Sequence, residues 1–344
     1  MVARPRRRMT TYFQIEGIDM LTIPHDDAHN DTHTRNHTGA ANSPAHLTAS
    51  ARMRPFGVRF ARRTQALRND TPLTEDQMRQ VAPSIFAQGK HVSRSERYTY
   101  IPTIDVLRSL RKEGFQPFMV AQGASRIEGK AEFTKHLIRM RFVGSQPSTD
   151  GRAARPQPET ETEAHEFILI NSHDGASSYR LLSGVLRFVC LNGLVVGTLA
   201  NDIRVAHKGK AEFEVIEGAI RVLDDAGAVA QAVDGMKAVA LSASEEHAFA
   251  SAALSLRYGD AVEGQPLAPI SASQIMEPRR AEDVGHSLWL NLQRVQEQLL
   301  RGGQRGRSAQ GHRVQTRPVA SIDRSVNLNR ALWTLAEEMR RLKA

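Results

Sequence analysis

The feature that most constrains the fold is an alternation of side chains over residues 135–143. On an extended chain these residues divide into two sets, His136, Ile138, Met140 and Phe142 on one side and Lys135, Leu137, Arg139, Arg141 and Val143 on the other. A repeat of two residues is the period of a β-strand, in which successive side chains point to opposite faces of a sheet. We therefore predict a strand here.

Three neighbouring segments extend this pattern. Residues 115–122 and 166–171 are strand-like, and residues 92–102 are predicted to be extended because β-prone residues lead into Pro102. Residues 179–196 form the most apolar stretch of the chain, and their spacing fits a helix as well as a strand. The sequence does not decide between a helix and a strand for this stretch.

Helical signals begin before these strands and dominate after them. A threonine, a proline and early acids predict a helix start at residues 71–78, and Thr103 is predicted to cap a helix that stops at Gly114. Residues 214–254, 288–300 and 328–342 are helical by composition and period. Strands followed by helices predict an α+β fold, with an antiparallel sheet in the N-terminal half and a helical C-terminal half.

Domain organisation follows from where apolar residues are sparse. Residues 1–60 are rich in Arg, His and small polar residues and offer too little apolar surface to offset chain entropy. We predict a disordered extension there, then a strand-rich core at 61–213. Residues 214–344 are predicted to be a mostly helical part of the same domain, with a flexible basic loop at 301–320.

Charge is spread unevenly around a net value of +9. Residues 214–300 hold 6 basic and 13 acidic residues, whereas residues 301–344 hold 10 basic and 3 acidic ones. Basic segments that flank an acidic one suggest a polyanionic partner. No apolar run approaches the length of a membrane span, and the single cysteine excludes a disulfide framework. We expect a cytoplasmic protein without a membrane partner.

Cations interleaved with aromatic residues give the sharpest functional prediction. Phosphates bind such cations and unpaired bases stack on such rings, so the pattern is typical of proteins that bind single strands. We predict non-enzymatic binding of single-stranded DNA, with annealing as a possible activity, through Arg94, Arg97, Tyr98, Tyr100, Lys135, Arg139 and Arg141, assisted by Arg301, Arg305 and Arg307. The composition leaves open whether the chain forms a homo-oligomer.

Two alternatives remain beside this prediction. His173, Asp174 and His207 are the candidates for a polar site of a metal-assisted nuclease or hydrolase, although no spacing signature unites them. We therefore assign no catalytic residue, no metal and no cofactor from the sequence. The other alternative is an anti-restriction or host-interaction protein that uses the acidic segment 214–300.

A series of segments resembles, in order, the phage- and plasmid-associated proteins of domain-of-unknown-function family 932. They are residues 82–87, 97–103, 110–117, 171–175, 187–193, 205–207, 295–303, 316–319 and 328–333. The resemblance covers about residues 70–342 and excludes the His-rich start. It implies a setting in a bacterial mobile genetic element, but no activity and no catalytic residues. The strand, helix and β-meander order is also reminiscent of phage and Rad52-type single-strand annealing proteins, which is an analogy of fold alone.

Overall fold

The computed structural model describes residues 64–95, 98–144, 163–187, 192–196, 202–207, 211–260 and 267–343. All of these residues belong to one compact unit. The disordered extension predicted at 1–60 lies outside the described residues.

Seven antiparallel strands form the main sheet, in the order β1-β2-β3-β4-β5-β6, with β7 also paired to β5. A separate two-stranded hairpin, β8–β9, lies in the C-terminal half. The strands are β1 Thr64–Arg68, β2 Phe115–Gly123, β3 His136–Phe142, β4 Glu163–Asn171, β5 Tyr179–Arg187, β6 Asn192–Val195, β7 Ile203–Val205, β8 Arg305–Arg307 and β9 Arg313–Gln315.

Eight α-helices accompany these strands within the described residues. They are α1 Glu75–Val81, α2 Thr103–Lys112, α3 Ala211–Asp224, α4 Ala226–Ala238, α5 Ala243–Tyr258, α6 Ala272–Met276, α7 Leu288–Arg301 and α8 Ile322–Leu342. None of them is long and apolar enough to cross a membrane.

Both faces of the sheet are buried. The first face, which carries Ile138 and Met140 of β3, packs on apolar residues of α1, α2 and α3. The second face, which carries Leu137, packs on Ile322 and Val326 at the start of α8. The remaining helices bury a third apolar cluster around Trp289. The sheet therefore lies between helices, with the helical half continuing beyond its second face.

The predicted α+β class is confirmed. The strands at 115–122, 135–143 and 166–171 are present, and the ambiguous stretch 179–196 contains the two strands β5 and β6. The segment 92–102, predicted to be extended, forms no strand: its described residues are turns and irregular backbone, with an extended backbone at Pro102. Thr103 begins α2 without capping it, because its side chain turns into the core.

The flexible loop predicted at 301–320 contains the β8–β9 hairpin instead. Gly302 ends α7 with a positive φ of 61°, and a Cβ there would lie 2.6 Å from the Arg317 carbonyl carbon. This close approach allows the Gly303 N–H to donate to the Thr316 carbonyl over 2.8 Å and the Thr316 N–H to donate to the Gln304 carbonyl over 2.9 Å, and these bonds hold both ends of the hairpin together. The segment is thus a folded element with a defined orientation.

Candidate functional site

The β8–β9 hairpin presents one cationic face, which we call the arginine face. Its cross-strand pairs are Arg305–Gln315, Gly306–Val314 and Arg307–Arg313. Because side chains alternate along each strand, the first and third pairs share one side. Their four residues are exposed, whereas Gly306 and Val314 are half-buried. The arginine face therefore consists of Arg305, Arg307, Arg313 and Gln315.

Gly306 fixes the direction of this face. A Cβ at position 306 would lie 1.9 Å from the carbonyl oxygen of Pro269, so only glycine permits the contact. The neighbouring Arg307 backbone N–H donates to the same oxygen over 2.9 Å. The hairpin is thus seated on the loop before α6, and its arginines point away from the protein.

The charge of the surrounding segment is uncompensated. Residues 298–322 contain five arginines and no acidic residue. Arg301 pairs with Glu297, but Arg305, Arg313 and Arg317 have no ion-pair partner among the described residues. Exposed guanidinium groups in this arrangement suit the phosphates of a polyanion.

The predicted strand cations lie elsewhere. Arg139 and Arg141 are only 5% and 6% exposed, on the second face of the sheet. Nε of Arg139 lies 2.5 Å from Oε2 of the fully buried Glu166, and Nε of Arg141 lies 3.5 Å from Oε1. Lys135 Nζ lies 2.6 Å from Asp323 Oδ2 of α8. The two arginines thus join β3 to β4 within the sheet, and Lys135 joins the start of β3 to α8.

Glu166 is the centre of this buried charge cluster. Arg68 NH1 is a further partner at 3.5 Å, and burial lowers the pKa of Arg68 to about 10. Burial alone would raise the pKa of Glu166, but Arg139, Arg68 and Arg141 hold it below its usual value. The carboxylate therefore stays charged and neutralises part of the cluster.

The predicted aromatic residues are engaged with protein groups. The Tyr98 ring stacks on His207 with centroids 4.7 Å apart, and the Tyr98 hydroxyl donates to the Ser172 carbonyl over 3.2 Å. The Tyr100 ring lies 5.1 Å from that of His173, and its hydroxyl donates to the Ala87 carbonyl. Burial raises the pKa of both tyrosines to about 12.

Of the two remaining predicted cations, Arg94 and Arg97, the structure describes only Arg94. Arg94 is half-buried and covers Gly175, where a Cβ would lie 2.2 Å from its NH1. Arg97 lies outside the described residues.

A buried network of polar side chains joins α2 to the first face of the sheet. Its centre is Thr103 Oγ1, which lies 3.0 Å from His136 Nε2, 3.1 Å from His173 Nε2 and 2.9 Å from Asn171 Nδ2. His207 Nε2 lies 2.8 Å from Asn171 Oδ1. Thr103, His136, His173 and Asn171 are fully buried. Two of the predicted polar residues, His173 and His207, are thus brought together through Asn171 and Thr103.

The hydrogen bonds assign the tautomers, starting from Gln122. Gln122 Nε2 donates to the Ala131 carbonyl, so Gln122 Oε1 accepts the Ser84 hydroxyl proton over 2.7 Å. Ser84 Oγ must then accept from His136 Nδ1, which lies 2.9 Å away. His136 Nε2 is therefore unprotonated and accepts the Thr103 hydroxyl proton.

The same matching of donors to acceptors assigns the tautomers of the other two histidines, His173 and His207. Thr103 Oγ1 has no second proton, so it accepts from Asn171 Nδ2 and from His173 Nε2. His207 Nε2 likewise donates to Asn171 Oδ1. The Nδ1 atoms of His173 and His207 are left as lone pairs, and within the described ranges both are buried without a hydrogen-bond partner. The network thus holds three neutral imidazoles.

The pKa directions agree with this assignment. Burial and the neighbouring His207 lower the pKa of His173 to about 4. Burial also lowers the pKa of His136 well below its ordinary value, and burial lowers the pKa of His207 against the opposing effect of the Ser177 carbonyl. The low values follow because a charged imidazole here loses its hydration.

Asp174 does not join this network. Its carboxylate accepts from the Ala176 backbone N–H over 2.9 Å and pairs with Lys130 Nζ at 3.2 Å. Across the described ranges, no group of three or more His, Cys, Asp or Glu residues is arranged to hold a metal ion.

Several residues of these sites were missed by the sequence analysis. Thr103 was assigned to a cap, and His136, Asn171 and Ser84 were not considered as a group. Arg313 was also missed, although a usable signal exists. Arginines at 305, 307 and 313, two on one strand and one across a glycine-containing turn, have the period-two spacing of a one-sided hairpin.

Comparisons with known proteins agree with the resemblance seen in the sequence. Two Escherichia coli K12 proteins, "UPF0380 protein YafZ" and "UPF0380 protein YfjQ", are each 45% identical over 273 residues, which covers 79% of this chain and 93% of the relative. No solved structure matches. The profile of DUF932, a domain of unknown function, matches residues 90–333. With a match over more than half of its length, the chain belongs to the DUF932 family.

Proposed function

We propose that this protein binds DNA without altering it chemically, and that the arginine face is where the phosphate backbone sits. The main observation in support is that Arg305, Arg307 and Arg313 are exposed side by side in a segment without an acidic residue. Phosphate contacts by arginine supply most of the sequence-independent affinity of DNA-binding proteins. The bacterial mobile-element setting implied by the family resemblance is part of this proposal.

The geometry of the hairpin supports backbone binding rather than stacking. Its described residues include no Phe, Tyr or Trp, and the Tyr98 and Tyr100 rings lie against histidines. The arginine face alone therefore binds single strands and duplexes through the same phosphates. A preference for single strands requires a further feature that admits an unpaired base.

A salt titration tests the proposal. Fluorescence anisotropy with a labelled mixed-sequence DNA is expected to show binding that weakens steeply as salt rises. Replacing Arg305, Arg307 and Arg313 together by Ala should reduce the salt slope by about one for each phosphate that the variant no longer neutralises. The matched control replaces Lys112, Arg126 and Arg221, three exposed cations outside the hairpin, and should leave binding close to that of the unaltered protein.

Two results would overturn this assignment. Absence of binding at low salt would refute DNA binding itself. Equal reductions of affinity in the hairpin and control variants would mean that net charge, and not the arginine face, carries the affinity.

A hydrolase is the second candidate, and one observation favours it. His173 and His207 each hold a buried Nδ1 lone pair without a hydrogen-bond partner among the described residues, and a neutral imidazole is a competent base. Incubating the protein with DNA in Mg²⁺, Mn²⁺ or Zn²⁺ tests this. Cleavage that disappears in His173→Ala would replace the binding function with a catalytic one.

A further inference from the structure

A groove of about 650 Å³ opens directly beside the arginine face. Residues 306–309 of the hairpin form one wall, α5 forms the other, and residues 267–272 form the floor. Arg307 belongs both to this lining and to the arginine face, and its guanidinium donates to the Gly311 carbonyl at the hairpin turn over 3.1 Å. Grooves of this volume accommodate small organic molecules.

The α5 wall presents a polar row. His247, Ser251 and Ser255 are spaced by four residues and therefore lie on one side of the helix, and all three line the groove. Neither serine hydroxyl has a hydrogen-bond partner among the residues that the structure describes. These hydroxyls are free to donate to, or accept from, a molecule in the groove.

The hairpin wall adds an independent observation. Ser308 Oγ is buried and has no hydrogen-bond partner among the described residues. Leaving such a group unpaired costs free energy in the isolated protein, and a ligand that bonds to it recovers that cost. Leu267, which is 44% exposed, supplies an apolar surface on the groove floor, and the described lining contains no acidic residue.

From this arrangement we infer that the groove accepts one unpaired nucleotide of a DNA strand whose phosphates lie on the arginine face. This inference rests on the proposed DNA-binding function and gives it a strand preference. The base packs on Leu267, and its edge bonds to Ser251, Ser255 and Ser308. Its phosphate reaches Arg307 of the groove lining.

The chemistry of the lining explains why an unpaired nucleotide fits better than a duplex. A nucleobase has flat apolar faces and a polar edge, which match an apolar floor between hydroxyl-bearing walls. A base in a duplex has its edge paired and its faces stacked, and extruding it costs a few kcal/mol. The groove therefore adds affinity for single strands only.

Filling the groove is the direct test. Ser251→Trp places a large ring in the groove, and Ala248→Trp places the same ring on the exposed side of α5 outside it. Anisotropy with the full chain uses one labelled mixed-sequence single strand and its duplex. We expect Ser251→Trp to weaken single-strand binding about tenfold, which corresponds to one or two hydrogen bonds and their packing. Duplex binding and the Ala248→Trp variant should be unchanged.

A second variant separates binding from folding. Ser308→Ala removes an unpaired buried hydroxyl, so the thermal unfolding midpoint should stay the same or rise. Single-strand affinity should nevertheless fall about fivefold. A merely structural role of Ser308 would show the opposite, a lower midpoint with unchanged affinity.

The outcomes distinguish this inference from the proposed function. Suppose that Ser251→Trp and Ser308→Ala both bind single strands normally, while the triple variant of Arg305, Arg307 and Arg313 does not bind. This result would refute the inferred nucleotide site in the groove but would support DNA binding by the arginine face. Equal reductions for single strand and duplex in Ser251→Trp also overturn it. If the unaltered protein binds no DNA, both proposals fall together.

Discussion

Arg307 and Arg313 face each other directly across the β8–β9 hairpin, as a cross-strand pair of like charge. Like charges in this position repel and destabilise a hairpin. Neither arginine has an acidic partner among the described residues, so the repulsion remains in the free protein. A phosphate bound between the two guanidinium groups would turn that repulsion into attraction, which links the stability of the hairpin to its ligand.

Arg313→Glu should therefore separate stability from binding. The new opposite-charge pair is expected to raise the free energy of unfolding by about 0.5 kcal/mol. DNA affinity should fall severalfold, because a repulsive charge replaces a phosphate contact. Urea unfolding and anisotropy measure the two quantities. Arg126→Glu, at an exposed position outside the hairpin, is the control, and a parallel fall in both quantities would contradict the prediction.

Thr103→Val should destabilise the fold by about 2 to 3 kcal/mol. The substitution keeps the shape of the side chain but removes the hydroxyl that His136, His173 and Asn171 share. Buried donors and acceptors left unpaired cost about 1 to 3 kcal/mol each. Denaturant unfolding measures the destabilisation. Thr99→Val, at an exposed position, should change stability by no more than about 0.5 kcal/mol; an equal effect of the two would refute the network.

Acid should unfold the protein through the buried histidines. Because the pKa of His173 is about 4 when folded, against an ordinary value of 6.5, the unfolded chain binds a proton that the folded protein does not. The stability is present above pH 6.5 and is lost as pH falls toward 4, at about 1 kcal/mol per pH unit for each such histidine. Urea unfolding at several pH values gives the slope.

Two variants assign that slope to the network. His173→Gln should flatten the pH dependence, and His312→Gln, on the exposed turn of the hairpin, should leave it unchanged. A slope that survives in His173→Gln would show that other groups cause the acid unfolding.

Glu166→Gln should cost about 3 kcal/mol of stability. The carboxylate is fully buried between Arg68, Arg139 and Arg141, and a neutral amide leaves those charges less compensated. The control is Glu217→Gln, which breaks an exposed helical pair with Arg221 worth no more than about 0.5 kcal/mol. DNA binding by the folded Glu166→Gln variant should be unchanged, because this charge cluster lies within the sheet and away from the hairpin. Weakened DNA binding with unchanged stability would contradict this and would support the DNA-binding role first predicted for Arg139 and Arg141.

The sequence predicts structural features that depend on residues close together in the chain, and it does not predict contacts between residues far apart in the chain. The alternation over 135–143 correctly separates His136 and Ile138 from Arg139 and Arg141, because side-chain direction in a strand is a local property. The same pattern does not show what covers each face. Arg139 and Arg141 were expected to contact DNA, whereas the second face is buried and Glu166 of the neighbouring strand pairs with them.

The sequence alone determined the α+β class with strands before helices, the family, and the excess of arginine near the C-terminus. These depend on local propensity, periodicity and composition. Only the tertiary structure decided that Thr103 bridges His136 and His173, and that Gly306 sits on Pro269 so that the hairpin arginines point outward. The physical reason is separation along the chain: hydrogen bonds and steric contacts between residues dozens of positions apart exist only once the sheet and helices have packed.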